Sequence, residues 1–395
     1  MRGRKGFQRV LMCGMALLTL PFFYVSVKYK LPAAEKALFF AAENSANLAL
    51  ATMYPPVTTV FETEAAIAAL GEAAPTKTKT LKITTDDSEM LSQAELRVMP
   101  SSEDEEGFVP DPPPAQNSEN GDFDNPSGEL DGLVREITYG EMSGTNYINL
   151  PSGGQIRNLT DIKNTEIEEI IKNAGDFKLK ADGTPEVLIY HTHATECYLP
   201  DGTGNRYDTN FSFRSSDRSI NMVSVGNAIE KELEAAGIGV IHDETLYDEE
   251  SYNGSYEKSR AGVKKILDEN PSIKLVLDVH RDAIIPNDGE IAGAIAEING
   301  RKAAQIMIIS NCSGDTLKYP IPDFRENLKA AAAILGSLEE TAEGISRPIL
   351  FDYRQYNQDL SKGALLIEVG SHGNTQSEAV YSGELIGKAI ASLAG

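Results

Sequence analysis

Three short stretches of this chain combine residue types that can do hydrolytic chemistry. They are VLIYHTHATE (187–196), LVLDVHRD (275–282) and LLIEVG (365–370). The chain has five histidines, and His191, His193 and His280 all fall in these stretches. Each stretch is an apolar run that ends on an imidazole or a carboxylate. Two histidines and a glutamate form one of the recurring ligand sets of catalytic zinc, with water in the fourth position. A second carboxylate beside that water can act as general base and then hand the proton to the leaving amine. The spacing His193-x-x-Glu196 lets both side chains reach one ion from a single turn, with His280 as third ligand and Glu368 as base. His191 is the rival of His193. In an extended segment the two imidazoles point to the same side, so one of them would stand behind the other. Arg281, next to His280, is a candidate for holding an oxyanion or a substrate carboxylate.

Each residue also has a structural reading. The two histidines of the first stretch could sit in a surface loop, His280 could be buried against a carbonyl, and Glu368 could pair with Arg281. His242, at the end of GVIHDE, reads as structural, and His372 lies in a turn after Glu368. Cys197 would need a neighbouring base to act as a nucleophile. What favours metal chemistry is the placement of His and Glu at the ends of three separate strands, because ligand sites in open α/β sheets lie beyond the carboxyl ends of the strands.

The elements that would position these residues alternate regularly. The pattern predicts strands over 187–190, 239–242, 274–279, 292–298, 305–310 and 364–369. Helices are predicted over 219–236, 256–270, 324–341 and 377–393, with a shorter one over 165–173. Gly237 follows the last apolar residue of the 219–236 helix, where a C-terminal glycine is expected. Strands alternating with helices of this length predict an α/β domain with a mostly parallel sheet flanked by helices. The strands 292–298 and 305–310, joined around Asn299-Gly300, read as an antiparallel hairpin at one edge. The domain is expected over 184–395, preceded by a lead-in segment over 133–183. Cys197 and Cys312 could pair, but nothing in the sequence requires it.

The N-terminal third is of a different kind. Arg2, Arg4, Lys5 and Arg9 precede eighteen residues without a charge, Val10 to Val27. That run is at the short end of what spans a bilayer as a helix. The positive charges before it orient the N-terminus to the cytoplasm and the rest of the chain to the outer side of the membrane. Residues 1–30 are therefore read as a single-pass anchor in the cell membrane, with a cleaved signal peptide as the alternative. Residues 31–132 are read as a juxtamembrane segment, helical up to Tyr54, followed by a linker. Ser101 to Gly132 hold ten acids and no base, a composition that cannot bury enough apolar surface to order itself. It reads as a disordered acidic tether. With 59 acids against 36 Lys and Arg and a net charge of -23, the chain lacks the cationic surface that nucleic acid requires, and nucleic acid is excluded as a partner.

Beyond these local readings, the chain resembles the stage II sporulation protein P (SpoIIP) family, membrane-anchored cell-wall hydrolases of endospore-forming bacteria. The matching pieces are VLIYHTHATECYLP (187–200), NMVSVGNAIEKELEAAGIGVIHDETLYD (221–248), SYEKSRAGVKKIL (255–267), LVLDVHRDA (275–283), FRENLKAA (324–331) and LLIEVGSHGNT (365–375). The resemblance covers roughly residues 140 to 395 and extends to relatives among the zinc-dependent N-acetylmuramoyl-L-alanine amidases. It implies cleavage of the amide between muramic acid and the peptide stem of peptidoglycan, an additional endopeptidase activity on cross-links, and action during forespore engulfment. It also implies SpoIID and SpoIIM as partners, a Zn2+ cofactor held by the His193, Glu196 and His280 cluster, and Glu368 as the catalytic carboxylate. Two other readings stay open: a zinc carboxypeptidase-like peptidase, and a non-catalytic tether that binds the wall.

Overall fold

The computed structural model describes residues 81–83, 130–286, 290–313 and 318–395. The expected membrane run, the juxtamembrane helix and the acidic tether up to residue 129 lie outside the described residues. Among the described residues no helix is long and apolar enough to cross a membrane.

In chain order the elements begin with β1 (Leu81–Ile83), β2 (Gly132–Tyr139), β3 (Tyr147–Asn149), β4 (Gln155–Asn158), α1 (Asn164–Ile171), β5 (Pro185–Tyr190) and β6 (Arg206–Tyr207). They continue through α2 (Met222–Ala235), β7 (Gly239–His242), α3 (Ser255–Glu269), β8 (Leu275–Asp282), β9 (Glu290–Ile298) and β10 (Arg301–Ala304). The last are β11 (Ile306–Asn311), α4 (Phe324–Thr341), β12 (Ile349–Asp352), β13 (Ala364–Ser371) and α5 (Gln376–Ala391).

Eight strands form the main sheet in the order β3-β4-β12-β11-β13-β8-β5-β7. Five of its seven pairings are parallel and two, β3 with β4 and β11 with β13, are antiparallel. The sheet is therefore mixed: most of its pairings are parallel, as expected, and antiparallel pairs stand at β3–β4 and β11–β13. The central strands are apolar on both faces because both are covered, as strands read when helices lie above and below. On one face Val187, Ile189, Leu277 and Ile308 pack with Met222, Val225 and Ile229 of α2, Leu328 of α4 and Ile386 of α5. On the other, Leu188, Tyr190 and Val276 pack with Val263 of α3. Residues of the lead-in segment build β3 and β4 at one end of this sheet.

A second sheet contains β1, β2, β9 and β10, with β6 pairing to β2. Here the hairpin reading needs correction. β9 does turn at Asn299-Gly300, both with positive φ (51° and 75°), as a two-residue hairpin loop requires. Its antiparallel partner is the short β10, however, and not 305–310. The chain leaves this sheet at Gln305, and β11 enters the main sheet between β12 and β13. All six residues of β11 are buried, and such a two-faced apolar strand is stable in a covered interior position, not at an exposed edge. Gln305 is fully buried and ties the sheets together: Tyr139 N–H donates to its side-chain oxygen at 2.7 Å, and its Nε2 donates to Tyr139 O at 2.9 Å.

Candidate active site

β5, β8 and β13 lie side by side and run parallel, so their C-terminal ends open on one place. Tyr190 is in register with Asp278, and His280 with Glu368. Residues directly across a ladder share a face of the sheet, so Asp278, His280 and Glu368 all stand on the face covered by α3. Beyond Tyr190 the chain turns sharply instead of continuing extended. Two buried carboxylates pin this turn. Asp278 accepts from Thr192 N–H at 2.8 Å and from its hydroxyl at 2.7 Å. Asp248 accepts from Thr195 N–H at 3.1 Å and from its hydroxyl at 2.7 Å, and it is paired with Arg214 at 2.9 Å.

That turn brings His193 and Glu196 to the strand ends. The His193 ring lies flat on Tyr252, with centroids 4.0 Å apart, and nearly perpendicular to His280 at 5.3 Å. Its Nδ1 faces Ser255 Oγ at 3.3 Å and Asp248 Oδ2 at 3.7 Å. His280 Nδ1 is 3.8 Å from Glu196 Oε2. Its Nε2 is 2.8 Å from Asp278 Oδ1, a close charged contact whose angle falls short of a hydrogen bond. Glu368 is buried, and its Oε2 has no hydrogen-bond partner among the described residues. Glu368 thus forms no ion pair with Arg281.

The electrostatics follow from this crowding. Burial pushes the Glu368 carboxyl up to about 8, helped by the carboxylates of Asp282 and Glu196 and opposed by His280 and Arg347. Burial alone would lower His280, but the Asp278 carboxylate, with Glu196 and Glu368, outweighs it and raises the imidazole to about 9. Asp278 resists the upward push of its own burial because His280 and the Thr192 bonds hold it below the usual carboxylate range. Excess negative charge is thus gathered around two imidazoles.

The chemistry of the donor set fits a zinc ion. Histidine ligands to metals usually turn their second ring nitrogen to a carboxylate or carbonyl, and both His193 and His280 have one nitrogen beside a buried aspartate. Two ligand atoms of a tetrahedral zinc site stand about 3.4 Å apart, close to the 3.8 Å between His280 Nδ1 and Glu196 Oε2. Among the described residues no group of three or more His, Cys, Asp or Glu side chains has closed on a single point. The three donors are within reach of one another but not drawn together.

Other candidates are placed elsewhere. His191 does not share a side with His193, because residues 192–195 form a turn and the expected alternation stops at Tyr190. Its Nδ1 bonds Val279 O at 2.8 Å and its Nε2 bonds His242 at 2.9 Å, under Gly226 of α2. Burial and the neighbouring His242 hold it down to about 3. His242 in turn faces Glu230, a structural placement. Arg281 braces the loops: its Nε donates to Cys197 O at 2.8 Å and its Nη2 to Phe213 O at 2.9 Å. Its backbone N–H, not its guanidinium, meets Glu196 at 3.4 Å. Cys197 and Cys312 are both buried and free, and burial pushes the Cys197 thiol up to about 12, which removes it as a nucleophile. His372 is buried edge-on to Phe213.

Sequence reasoning did not single out Asp248, Arg214, Tyr252, Asp282 or Arg347 as parts of this site, nor Tyr256, whose ring stands edge-on to His193 at 5.5 Å. Asp278 alone had a readable signal, since it stands two positions before His280 and therefore on the same face of the strand.

Residues 82–391 match the stage II sporulation protein P (SpoIIP) family. The chain is 28% identical over 256 residues to the stage II sporulation protein P of Bacillus subtilis (strain 168), which is 60% of this chain and 60% of that protein. Among solved structures it is similar to the CwlD amidase of Clostridioides difficile in complex with the GerS lipoprotein, at 12% identity and a TM-score of 0.31, covering 53% of this chain and 98% of that one. It is also similar to the N-acetylmuramyl-L-alanine amidase Ami1 of Mycobacterium smegmatis, at 10% identity and a TM-score of 0.33, covering 54% and 98%. On the family match, which takes in most of its length, this chain belongs to the stage II sporulation protein P family.

Proposed function

We propose that the chain is a zinc-dependent peptidoglycan hydrolase that cleaves the N-acetylmuramoyl-L-alanine amide, with a second activity on peptide cross-links, during sporulation engulfment. The observation that supports this reading is the arrival of His193, Glu196, His280 and Glu368 together at the ends of three adjacent parallel strands. His193, Glu196 and His280 would hold zinc, which when bound supplies Lewis acidity and an acidified water.

The remaining chemistry belongs to the chain's own residues. Glu368 takes the proton of the attacking water and returns it to the leaving nitrogen, so that the amide yields a carboxylic acid and an amine. A carboxyl raised to about 8 in the metal-free chain is a strong enough base for this task near neutral pH, and a cation alongside would bring it down toward the working range. Asp248 and Asp278 hold the two imidazoles in orientation. Arg281 fixes the Glu196 loop through the carbonyls of Cys197 and Phe213. In this reading residues 10–27 anchor the chain in the cell membrane with the catalytic part facing the wall, and SpoIID and SpoIIM are its partners.

Digestion of purified cell wall by the purified chain, with and without chelator and with products identified by mass, tests the proposal. Intact free stem peptides, lost on chelation, are expected. Shortened stems alone would establish a carboxypeptidase-like peptidase instead. No digestion together with no bound metal would leave a wall-binding tether.

A further inference from the structure

The proposed amide cleavage passes through a tetrahedral species whose oxygen gathers negative charge. A fixed hydrogen-bond donor aimed at that oxygen accelerates such a reaction strongly. Arg281, the donor suggested by its place beside His280, is spent elsewhere, on the carbonyls of Cys197 and Phe213. Arg214 is committed too, to Thr195 and Asp248. The residue laid directly on the cluster is Tyr252, in the loop between β7 and α3. Its ring covers His193 at a centroid distance of 4.0 Å, with only 4° between the two planes.

The start of α3 places this ring. Ser255 gives its one hydroxyl hydrogen to the Tyr252 carbonyl at 2.8 Å, so toward His193 Nδ1, 3.3 Å away, its oxygen serves as acceptor. Nδ1 therefore carries the imidazole proton, and Nε2 is the nitrogen left to a metal. The same serine ties the Tyr252 backbone to the Nδ1 edge of the imidazole, and the phenol extends from there across the ring. Of the charges around it, the Glu196 carboxylate acts most strongly on that phenol. Glu196 itself stands 3.8 Å from His280 Nδ1 at the strand ends. The Arg214 guanidinium lies 5.3 Å from the Tyr252 ring centre and is held in place by Asp248.

Other tyrosines of the fold spend their hydroxyls on its structure. Tyr198 donates to Val369 O at 2.8 Å, Tyr247 to Asp243 at 2.5 Å and Tyr381 to Ile298 O at 3.2 Å. Tyr252 is half-buried, and its hydroxyl makes no hydrogen bond among the described residues. We propose that Tyr252 is a further catalytic residue, whose hydroxyl reaches past the Nε2 edge of His193 and donates a hydrogen bond to the scissile carbonyl oxygen. The bond tightens as that oxygen gains negative charge. No covalent bond to the tyrosine forms or breaks, and the phenol keeps its proton throughout. This rests on the hydrolase reading above and adds to it the donor that Arg281 does not supply.

The test removes the hydroxyl and keeps the ring on His193, by Tyr252→Phe in the full, zinc-loaded chain. Turnover is measured on a soluble muramyl stem peptide. Binding is measured by calorimetry with a phosphinic analogue that carries a tetrahedral centre in place of the scissile carbonyl. The variant's kcat is expected to fall about 10²–10³-fold with KM nearly unchanged, as loss of one oxyanion donor does. Affinity for the analogue should fall by a similar factor, while zinc affinity in a chelator competition and the melting temperature stay as they were. Unchanged kcat and unchanged analogue affinity would overturn the role of Tyr252 and leave the hydrolase reading standing. A loss of activity matched by an equal loss of zinc affinity would also overturn it, because the tyrosine would then only support His193. An unaltered chain that neither cleaves the peptide nor binds the analogue would overturn the hydrolase reading, and this proposal with it.

Discussion

Glu368→Gln should make the metal-free chain more stable while removing its activity. The carboxyl is raised from 4.5 to about 8 by burial among Asp282 and Glu196. Between those two values the folded chain holds a proton that the unfolded chain releases, so stability falls as pH rises from about 4.5 to about 8. At pH 7 the cost is about 3 kcal/mol, and at pH 5 it is under about 1 kcal/mol. Glutamine has nearly the same shape, carries no charge, and gives up little, because Glu368 Oε2 has no hydrogen bond among the described residues. Urea unfolding of both proteins in chelator should show the variant more stable at pH 7 by roughly 2–3 kcal/mol, with most of the gain gone at pH 5. Wall digestion with zinc restored should fall by about 10²–10⁴-fold, the usual worth of a general base. A gain that is absent at pH 7, or equal at the two pH values, would refute the claim that this carboxylate is held against its own charge.

Asp278→Asn should loosen both the Thr192 turn and His280, lowering zinc affinity about 10–100-fold in a competition assay with a chromogenic chelator; unchanged affinity would count against Asp278 as the orienting group. Gly226→Ala would place a methyl group 2.5 Å from His242 Nε2 and 2.7 Å from His191 Nε2. It should cost about 1–3 kcal/mol in urea unfolding, as overpacking does. His372 is held down to about 3, by burial first and then by Arg281. Below about pH 6.5 the unfolded chain therefore takes up a proton that the folded chain refuses, and stability falls with pH by about 1.4 kcal/mol per pH unit from this residue. His372→Gln should flatten that slope between pH 6.5 and 5; an unchanged slope would mean that His372 is already protonated when folded.

The readable parts of this molecule are those written in a local period. The helix over 324–341 matches α4, and the helix before Gly237 ends where that glycine allows a left-handed turn, at φ 80°. The strand ends at His280 and Glu368 were legible for the same reason, because a covered parallel strand is an unbroken apolar run and its last polar residue marks the mouth of the sheet. Strand order is a different kind of fact. Nothing within 292–310 says that the chain changes sheets at Gln305, since the turn at Asn299-Gly300 is satisfied by four residues of β10 as well as by a longer partner. The competition between His191 and His193 has the same origin. Alternation would have kept them on one side, but Asp278 and Asp248, from 86 and 53 residues away, capture Thr192 and Thr195 and bend the chain between the two imidazoles. The same two aspartates lie beside His280 and His193. A single pair of buried carboxylates therefore sets both where the histidines point and which of them stands beside His280, and this long-range pairing leaves no period in the sequence to read.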